Sequence, residues 1–264
     1  VARQAVDAWI FDARTDPLLD ELLVTDAFLL PADNIPDPAE RTQFAGWIAG
    51  LIQQLDAAWS RSAMPSGSSN VDRWPDVQGV WLLAGSAGAT SAIQAFLNAF
   101  RQPPPVAFIY AQHMDPAQHQ HLHQFTLQNK QFSLVMAEGL HALEPARLLM
   151  ISPRCKVTLN KFGQMASIRT AWDGEHTPDI NEMLVILSAS NLPACGAIVF
   201  SGMGDDGAEA LGVFAASGGR IWAQSPESAI CPAMPQAAIN SGLVQRHGDP
   251  ATLAAHLACL YDTV

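Results

Sequence analysis

Short apolar runs alternate with amphipathic segments along most of the chain, and this alternation predicts strands and helices in turn. Buried strands are predicted at 79–84, 106–112, 148–152, 197–201 and 220–224. Helices are predicted at 90–100, 115–129, 180–190, 208–217, 234–241 and 250–260. Strands separated by helices of this length are typical of βαβ units. The predicted fold class is therefore α/β, a doubly wound and mostly parallel sheet with helices on both faces.

A different period interrupts this alternation in the middle of the chain. In residues 155–160 and 166–171, on either side of Gly163, apolar and polar side chains alternate with a period of two. A period of two around a glycine-containing turn predicts a β-hairpin. We expect the hairpin to be an addition to the main sheet.

The composition divides the chain at a stretch rich in Ser, Gly and Pro. Residues 61–75 have linker composition. The pattern of residues 1–60 predicts a small α/β segment. Its strands are predicted at 7–13 and 27–30, and its helices at 16–24 and 38–59. Residues 76–264 then form the main domain.

Charge and cysteine content narrow the function classes. The chain has 264 residues, 49% of them apolar, and a formal net charge of −11. Phosphate binding needs clustered Lys and Arg, so a nucleic-acid partner is not expected. The four cysteines form no C-x-x-C pair and are interpreted as reduced thiols of a cytoplasmic protein. The apolar runs are too short to span a membrane. The sequence shows no basic segment followed by an apolar one, so no signal peptide is expected.

Three polar signatures directly follow predicted strands. They are Gly85-Ser86-Ala87-Gly88, Gln112-His113-Met114 and the glycine motif, residues 202–207, Gly-Met-Gly-Asp-Asp-Gly. Loops at the carboxyl ends of parallel strands gather at one edge of the sheet. A hydroxyl, an imidazole and a carboxylate at that edge are the parts of a nucleophile, a base and an orienting acid.

Each signature also has a simpler interpretation. Ser86 is suited to capping the next helix or to a phosphate site, although no P-loop lysine follows Gly88. A lone histidine such as His113 is often a core or helix-start residue. The spacing of the glycine motif does not choose between Asp205 and Asp206, and two carboxylates also suit a cation.

A pair of histidines offers a metal site. His119 and His123 would share one face of the helix predicted at 115–129. No glutamate or cysteine accompanies them, and the neighbouring glutamines favour a solvated face over a metal site. No metal is therefore expected.

The region from about residue 77 to residue 260 resembles the catalytic domain of bacterial chemotaxis protein-glutamate methylesterases. The order and spacing of several segments carry this resemblance. The segments are Gly85–Thr90, Gln112–Met114, Ser201–Ala208, Ala223–Gln224, Glu227–Ala229, Met234–Pro235 and Ala238–Ile239.

The resemblance implies hydrolysis of glutamyl methyl esters on chemoreceptors, with release of methanol and without a cofactor. It also implies deamidation of receptor glutamines as a second activity. By correspondence of motifs, Ser86 is the nucleophile, His113 the general base and Asp206 the orienting acid. The implied partners are the cytoplasmic domain of a methyl-accepting chemoreceptor and a chemosensory histidine kinase.

The same correspondence predicts a substrate and oxyanion region around the nucleophile. Met203 falls where the family has a methionine lining the site, and its amide is predicted to help bind the oxyanion. Ala87, Gly202 and Gly204 are predicted to complete this region.

The chain departs from the family pattern at several places. Ala87 replaces a threonine, and Ala89 replaces a glycine. The family segment Arg-Pro-Ser-Val-Asp reads Thr-Pro-Asp-Ile-Asn at 177–181, so Asn181 replaces an acid. These changes indicate a divergent member, serving a chemosensory system other than the flagellar one. The alternative is a catalytically weak regulatory or docking protein of a chemosensory array.

The first 75 residues are too short for the receiver domain that the family commonly carries. Trp9–Ala13 resembles the receiver strand that ends in the phosphorylated aspartate, so the segment is interpreted as a degenerate or truncated receiver remnant. The receiver's lysine partner is missing, since the first lysine is Lys130. Phosphorylation control through Asp12 is therefore not expected.

Overall fold

The computed structural model divides into two compact units, Val1–Pro75 and Asp76–Val264. It describes residues 8–11, 28–31, 36, 40, 43–44, 46–52, 77–117, 127–160, 162–168, 170–190, 192 and 194–262. The first unit contains two parallel strands, β1 (Ala8–Phe11) and β2 (Phe28–Pro31), and residues 43–44 and 46–52 are helical. The helix predicted at 16–24 and the linker at 61–75 lie outside the described residues.

In the second unit, the described residues contain counterparts of the five predicted strands and of five of the six predicted helices. Its strands are β3 (Gly79–Gly85), β4 (Val106–Gln112), β5 (Ser133–Met136), β6 (Leu140–Ala142), β7 (Arg147–Met150), β8 (Val157–Leu159), β9 (Gln164–Ser167), β10 (Cys195–Val199), β11 (Arg220–Gln224) and β12 (Arg246–Gly248). Its helices are α1 (Ala89–Asn98), α2 (Ile180–Ala189), α3 (Leu211–Ala216), α4 (Ala233–Asn240) and α5 (Pro250–Leu260). The helix predicted at 115–129 lies mostly outside the described residues.

Seven strands form one parallel sheet in the order β12-β11-β10-β3-β4-β7-β5. After β3 the chain passes to β4, then to the edge strand β5, and comes back to place β7 between β4 and β5. It then returns to place β10 on the other side of β3. The direction of strand order therefore reverses between β3 and β10. In open α/β sheets, ligands bind outside the carboxyl ends of the strands at such a reversal.

Helices pack on both faces because the central strands are apolar on both sides. Every residue of β3 is buried. Trp81 and Leu83 share a core cluster with Phe96 of α1 and Leu253 of α5. Leu82 and its neighbours on adjacent strands are buried outside that cluster, and α2 packs against α3, which contacts β11.

The residues with a period of two form a small antiparallel sheet. Strand β9 pairs with β8, as predicted, and also with β6 on its other side. The predicted α/β class, with a mostly parallel sheet and an added hairpin, is confirmed. The short strands β5, β6 and β12 were not predicted.

No helix among the described residues combines the length and the hydropathy needed to cross a membrane.

Candidate active site

The turn after β3 carries Ser86 at the point where the strand order reverses. Ser86 N–H donates to the carbonyl of Ser201, 3.0 Å away, which continues the pairing of β3 with β10. Gly88 has φ +81° and is the N-cap of α1, and no side chain caps that helix. The interpretation of Ser86 as a helix cap is therefore wrong. Its side chain is half-buried, with no hydrogen bond to any residue that the structure describes.

His113 lies beside this turn because β3 and β4 are paired in register up to Gly85 and Gln112. Its backbone N–H donates to the carbonyl of Gly85 at 3.0 Å. The ladder therefore brings the backbone of His113 next to Gly85, the residue that precedes Ser86. This placement follows from the backbone alone, since the two strands end level with each other.

His113 and Asp206 form a short, buried pair. Nε2 of His113 lies 2.6 Å from Oδ2 of Asp206. The two side chains are only 9% and 8% exposed. Because the carboxylate occupies Nε2, the nitrogen left to accept a proton is Nδ1. The imidazole is thereby fixed in one tautomer and one orientation.

Asp206 receives three more hydrogen bonds from the start of α2. Its Oδ2 accepts from Ile180 N–H at 2.9 Å. Its Oδ1 accepts from the backbone N–H of Asn181 at 3.2 Å and from the side-chain amide of Asn181 at 2.8 Å. The carboxylate thus lies at a helix N-terminus, where unpaired amides and the helix dipole favour negative charge.

These contacts keep Asp206 ionised despite its burial. Desolvation is the largest single influence and raises the pKa of Asp206, but the hydrogen bond from His113 and the amides of Ile180 and Asn181 outweigh it. The pKa of Asp206 is therefore lowered below its usual value. The pKa of Asp179, the N-cap of α2, is shifted in the opposite direction. Burial, with the nearby charge of Asp206, raises the pKa of Asp179 against its capping hydrogen bond.

The structure separates the two aspartates of the glycine motif. Asp206 contacts His113, whereas the side chain of Asp205 is exposed. Gly207 follows with φ +93°, and a Cβ there would lie 2.7 Å from Cγ2 of Ile180. Only glycine permits this approach, which brings the motif against the start of α2.

The first half of the glycine motif lies against the Ser86 turn. A Cβ on Gly202 would lie 3.1 Å from Cβ of Ser86 and would overlap the sulfur of Met234. The amide of Gly202 donates to the carbonyl of Cys231 at 2.9 Å, so it is not free to bind an oxyanion. Among the described residues, the amides of Ala87 and Met203 have no acceptor and remain free to donate. Gly204 is exposed, with φ +85° and open space around it.

Gln112 braces the turn that carries Ser86, a role that sequence reasoning missed. Its side-chain amide donates to the carbonyl of Ser86 at 2.9 Å and to that of His113 at 3.2 Å. Its oxygen accepts from the hydroxyl of Tyr110 at 2.7 Å. Burial raises the pKa of Tyr110 above its usual value, so this hydroxyl remains a donor. The position of Gln112 next to His113 was the available signal.

A second buried brace joins three loops behind the site. Oγ of Ser201 donates to the carbonyl of Ala87 at 2.7 Å and accepts from the N–H of Cys231 at 2.9 Å. The amide oxygen of Gln224 accepts from Ser201 N–H at 2.9 Å, and its nitrogen donates to Ser228. Ser201 and Gln224 are almost fully buried, so this polar network has no water to replace its partners.

The loop before α2 covers His113 with a second imidazole. The ring of His176 lies 5.1 Å from the ring of His113, centroid to centroid, and is tilted by 37°. Met114 N–H donates to the carbonyl of Thr177 at 2.8 Å, and Oγ1 of Thr177 donates back to the carbonyl of Met114 at 3.1 Å. The loop is therefore anchored to the strand end that carries His113.

Two departures from the family pattern have different meanings in the structure. Ala89 is fully buried in the core, so its methyl group does not enter the site. Asn181 is a direct partner of Asp206, and its side-chain oxygen also accepts from Ala210 N–H at 2.9 Å. The contacts of Ala89 and Asn181 therefore give no reason to expect weak activity. Ala87 is exposed on the turn beside Ser86.

The described residues contain no group of three His, Cys, Asp or Glu side chains placed to hold a metal ion. The predicted histidine pair, His119 and His123, lies outside the described residues.

Comparisons with known proteins agree with this fold. A sequence model of the CheB methylesterase family matches residues 81–257, and the chain belongs to this family. A protein-glutamate methylesterase/protein-glutamine glutaminase of Desulfitobacterium hafniense is 26% identical over 65% of this chain and 45% of its own length. A protein of the same name, from the group 3 operon of Rhizobium meliloti, is 25% identical over 63% of this chain and 47% of its own.

A solved structure supports the fold independently. The catalytic domain of the Thermotoga maritima CheB methylesterase superposes with a TM-score of 0.59 at 16% identity, covering 69% of this chain and 97% of that domain. The chain spans about half the length of the curated relatives it matches.

Proposed function

We propose that the chain is a serine hydrolase that demethylates glutamyl methyl esters of methyl-accepting chemoreceptors. The observation that carries the proposal is the buried pair of His113 and Asp206 beside the half-buried Ser86. The pair, at 2.6 Å, supplies an oriented imidazole at the sheet edge where the nucleophile turn lies. No observation favours the alternative of an inactive docking protein.

The first half of the reaction forms an acyl-enzyme. Oγ of Ser86 attacks the ester carbonyl and gives its proton to Nδ1 of His113, while Asp206 holds the N–H at Nε2. The free amides of Ala87 and Met203 are the proposed donors to the oxyanion. The proton on His113 then passes to the methoxide as the carbon–oxygen bond breaks, and methanol leaves.

The second half regenerates the enzyme. A water molecule gives one proton to His113 and attacks the acyl carbon. The bond to Oγ of Ser86 breaks as His113 returns the proton to it, leaving a glutamate side chain. The same route releases ammonia from a glutamine, which is the second activity proposed. Each step uses side chains and backbone amides of the protein together with water.

Asp206 contributes by staying charged throughout the cycle. Its low pKa makes it a poor proton acceptor, so it stabilises the imidazolium by charge and does not take the proton. The hydrogen bonds from α2 keep this charge favourable inside the protein. His113 is thus the group that moves protons.

The setting of this reaction is also part of the proposal. The substrate is the cytoplasmic signalling domain of a chemoreceptor, the second partner is a chemosensory histidine kinase, and the compartment is the cytoplasm. The divergence noted above favours a chemosensory system other than the flagellar one.

The test is methanol release from a methylated receptor signalling domain, comparing the parent chain with Ser86→Ala. We expect release by the parent and none by the variant. Ser91→Ala is a matched control, because Ser91 is exposed and hydrogen-bonded only within the first turn of α1. Equal release by the parent and Ser86→Ala would refute the assignment of the nucleophile. Binding of the receptor without release by the parent would favour the docking alternative.

A further inference from the structure

A buried lysine that the proposed reaction does not use contacts the first turn of α2. The side chain of Lys156 is only 11% exposed. Its Nζ donates to Oδ2 of Asp173 at 2.6 Å and forms an ion pair with Oε1 of Glu182 at 2.5 Å. Burial alone would lower the pKa of Lys156, but the hydrogen bonds to the two carboxylates outweigh it and raise the pKa. The ammonium therefore stays charged inside the protein.

The two partners of Lys156 differ in burial, and only one of them belongs to α2. Asp173 is 85% exposed, so water screens its charge. Glu182 is 24% exposed and donates from its N–H to Oδ1 of Asp179, the N-cap, at 2.7 Å. Oε2 of Glu182 is buried, with no hydrogen-bond partner among the residues that the structure describes. The ammonium of Lys156 is therefore the contact that offsets the burial of this carboxylate.

The small antiparallel sheet holds the backbone of Lys156. The N–H of Lys156 donates to the carbonyl of Thr170 at 2.8 Å, and its carbonyl accepts from Ile168 N–H at 2.9 Å. These bonds lie directly beyond the last pair of β8 and β9, Val157 with Ser167. The backbone of Lys156 is thus fixed on the hairpin, and its side chain connects the hairpin to α2.

Three carboxylates lie at the start of α2. Asp179 and Glu182 flank the residues whose amides hold the third carboxylate, and Asn181 donates to that one, Asp206. Burial raises the pKa of Asp179, and the charges of Asp206 and Glu182 raise it further, so these carboxylates repel one another. The ammonium of Lys156 supplies an opposing charge at Glu182, which directly follows Asn181.

We propose that Lys156 is a positioning residue that acts through Glu182 on Asp206. The ion pair fixes the first turn of α2, that turn fixes the carboxylate of Asp206, and the carboxylate fixes the imidazole of His113. A displaced orienting acid slows proton transfer without changing how the substrate binds. The proposal rests on the function proposed above and names what holds the orienting acid in place.

The first test compares the two carboxylate partners of the same ammonium. Glu182→Gln keeps the shape of the side chain and removes its charge. For p-nitrophenyl acetate and the full chain, we expect kcat to fall about tenfold with KM unchanged. Asp173→Asn is the matched control, since it removes only the exposed partner and should leave kcat unchanged. An unchanged kcat in Glu182→Gln, or equal losses in both variants, overturns the proposal.

A second measurement needs no turnover. The chemical shifts of the two ring nitrogens of His113 are recorded by long-range proton–nitrogen NMR and assigned with His113→Gln. These shifts report the tautomer and the hydrogen bond from Nε2 to Asp206. Glu182→Gln should move them, and Asp173→Asn should leave them at the parent values. Unmoved shifts in Glu182→Gln overturn the proposal.

A double variant shows that the lysine and the glutamate act as one unit. Lys156→Met alone leaves a buried carboxylate unpaired and is expected to destabilise the fold. Combined with Glu182→Gln it removes both charges at similar volume, which preserves stability, as urea unfolding will verify. This double variant should show the same tenfold loss of kcat as Glu182→Gln alone. A parental kcat, or a further tenfold loss, overturns the route through the ion pair.

The two proposals fail in different ways. Ring-nitrogen shifts that depend on Glu182 in a chain that hydrolyses no ester would refute the proposed esterase and leave the positioning role in place. Hydrolysis that depends on Ser86 but not on Glu182 would refute the positioning role and leave the esterase.

Discussion

Gly88 is the position where a single added methyl group should damage both the fold and the proposed site. Its φ of +81° is a left-handed conformation, and a Cβ there would lie 2.7 Å from both Cβ of Ile230 and Oγ of Ser201. Gly88→Ala therefore combines backbone strain with overpacking. The displaced Ser201 hydroxyl is the group that holds the carbonyl of Ala87.

The expected magnitude follows from these two costs. A non-glycine residue in the left-handed region costs about 1–2 kcal/mol. Overpacking a well-filled position costs roughly 1–3 kcal/mol more. Gly88→Ala should therefore lower the free energy of unfolding by about 2–5 kcal/mol, a large part of the ~5–15 kcal/mol typical of a domain. Ester hydrolysis should fall about 100-fold because the turn carries Ser86.

Gly218→Ala separates the two contributions. Gly218 has φ +89°, with no atom within 4 Å of an added Cβ. This variant carries the backbone cost of about 1–2 kcal/mol without the overpacking. Urea unfolding followed by circular dichroism gives both values, and p-nitrophenyl acetate gives the hydrolysis rate. Equal losses of unfolding free energy in Gly88→Ala and Gly218→Ala would refute the close approach of the Gly88 turn to Ile230 and Ser201.

Two further predictions concern the charge of Asp206. Asn181→Ala removes one donor to this carboxylate, a charge-assisted bond worth about 1.5–3 kcal/mol, and should lower kcat for p-nitrophenyl acetate at least tenfold with little change in KM. An unchanged kcat would show that Asn181 does not position Asp206. Because the folded pKa of Asp206 is lowered, its stabilising effect is present above the unfolded value of about 3.9 and is lost as the pH falls through the folded pKa. Urea unfolding between pH 5 and pH 3 should therefore show a smaller loss of stability for Asp206→Asn than for the parent, and equal losses would contradict the shift.

The central strands could be predicted from the sequence because strands buried on both faces consist of uninterrupted apolar residues. The run Val80-Trp81-Leu82-Leu83-Ala84 admits few structures other than a buried strand, and the structure gives β3 there. Strand β12 (Arg246–Gly248) had no such signal, since its Arg and His are exposed. What defines β12 is backbone pairing with β11, which depends on the sheet already present.

The candidate site also combines features that could be predicted from the sequence with features that could not. The sequence could predict the positions of Ser86, His113 and the glycine motif directly after strands, because the ends of apolar strands are visible in the sequence. The choice of Asp206 over Asp205 could not be made from spacing, because it depends on which carboxylate faces His113 in three dimensions. The role of Asn181 was also hidden. Asn181 lies 25 positions from Asp206 along the chain, and only the packing of α2 against the glycine motif brings them together.

The position of β3 between β4 and β10 has a consequence for synthesis of the protein. Strand β4 follows β3 along the chain, so it is the first partner strand available to β3 during synthesis. The other edge of β3 stays unpaired until β10 (Cys195–Val199) has been translated. During that interval a wholly apolar strand presents an open edge, the feature that promotes association with other chains. Translation of β10, which directly precedes the motif of Asp206, thus also supplies the strand that covers this open edge.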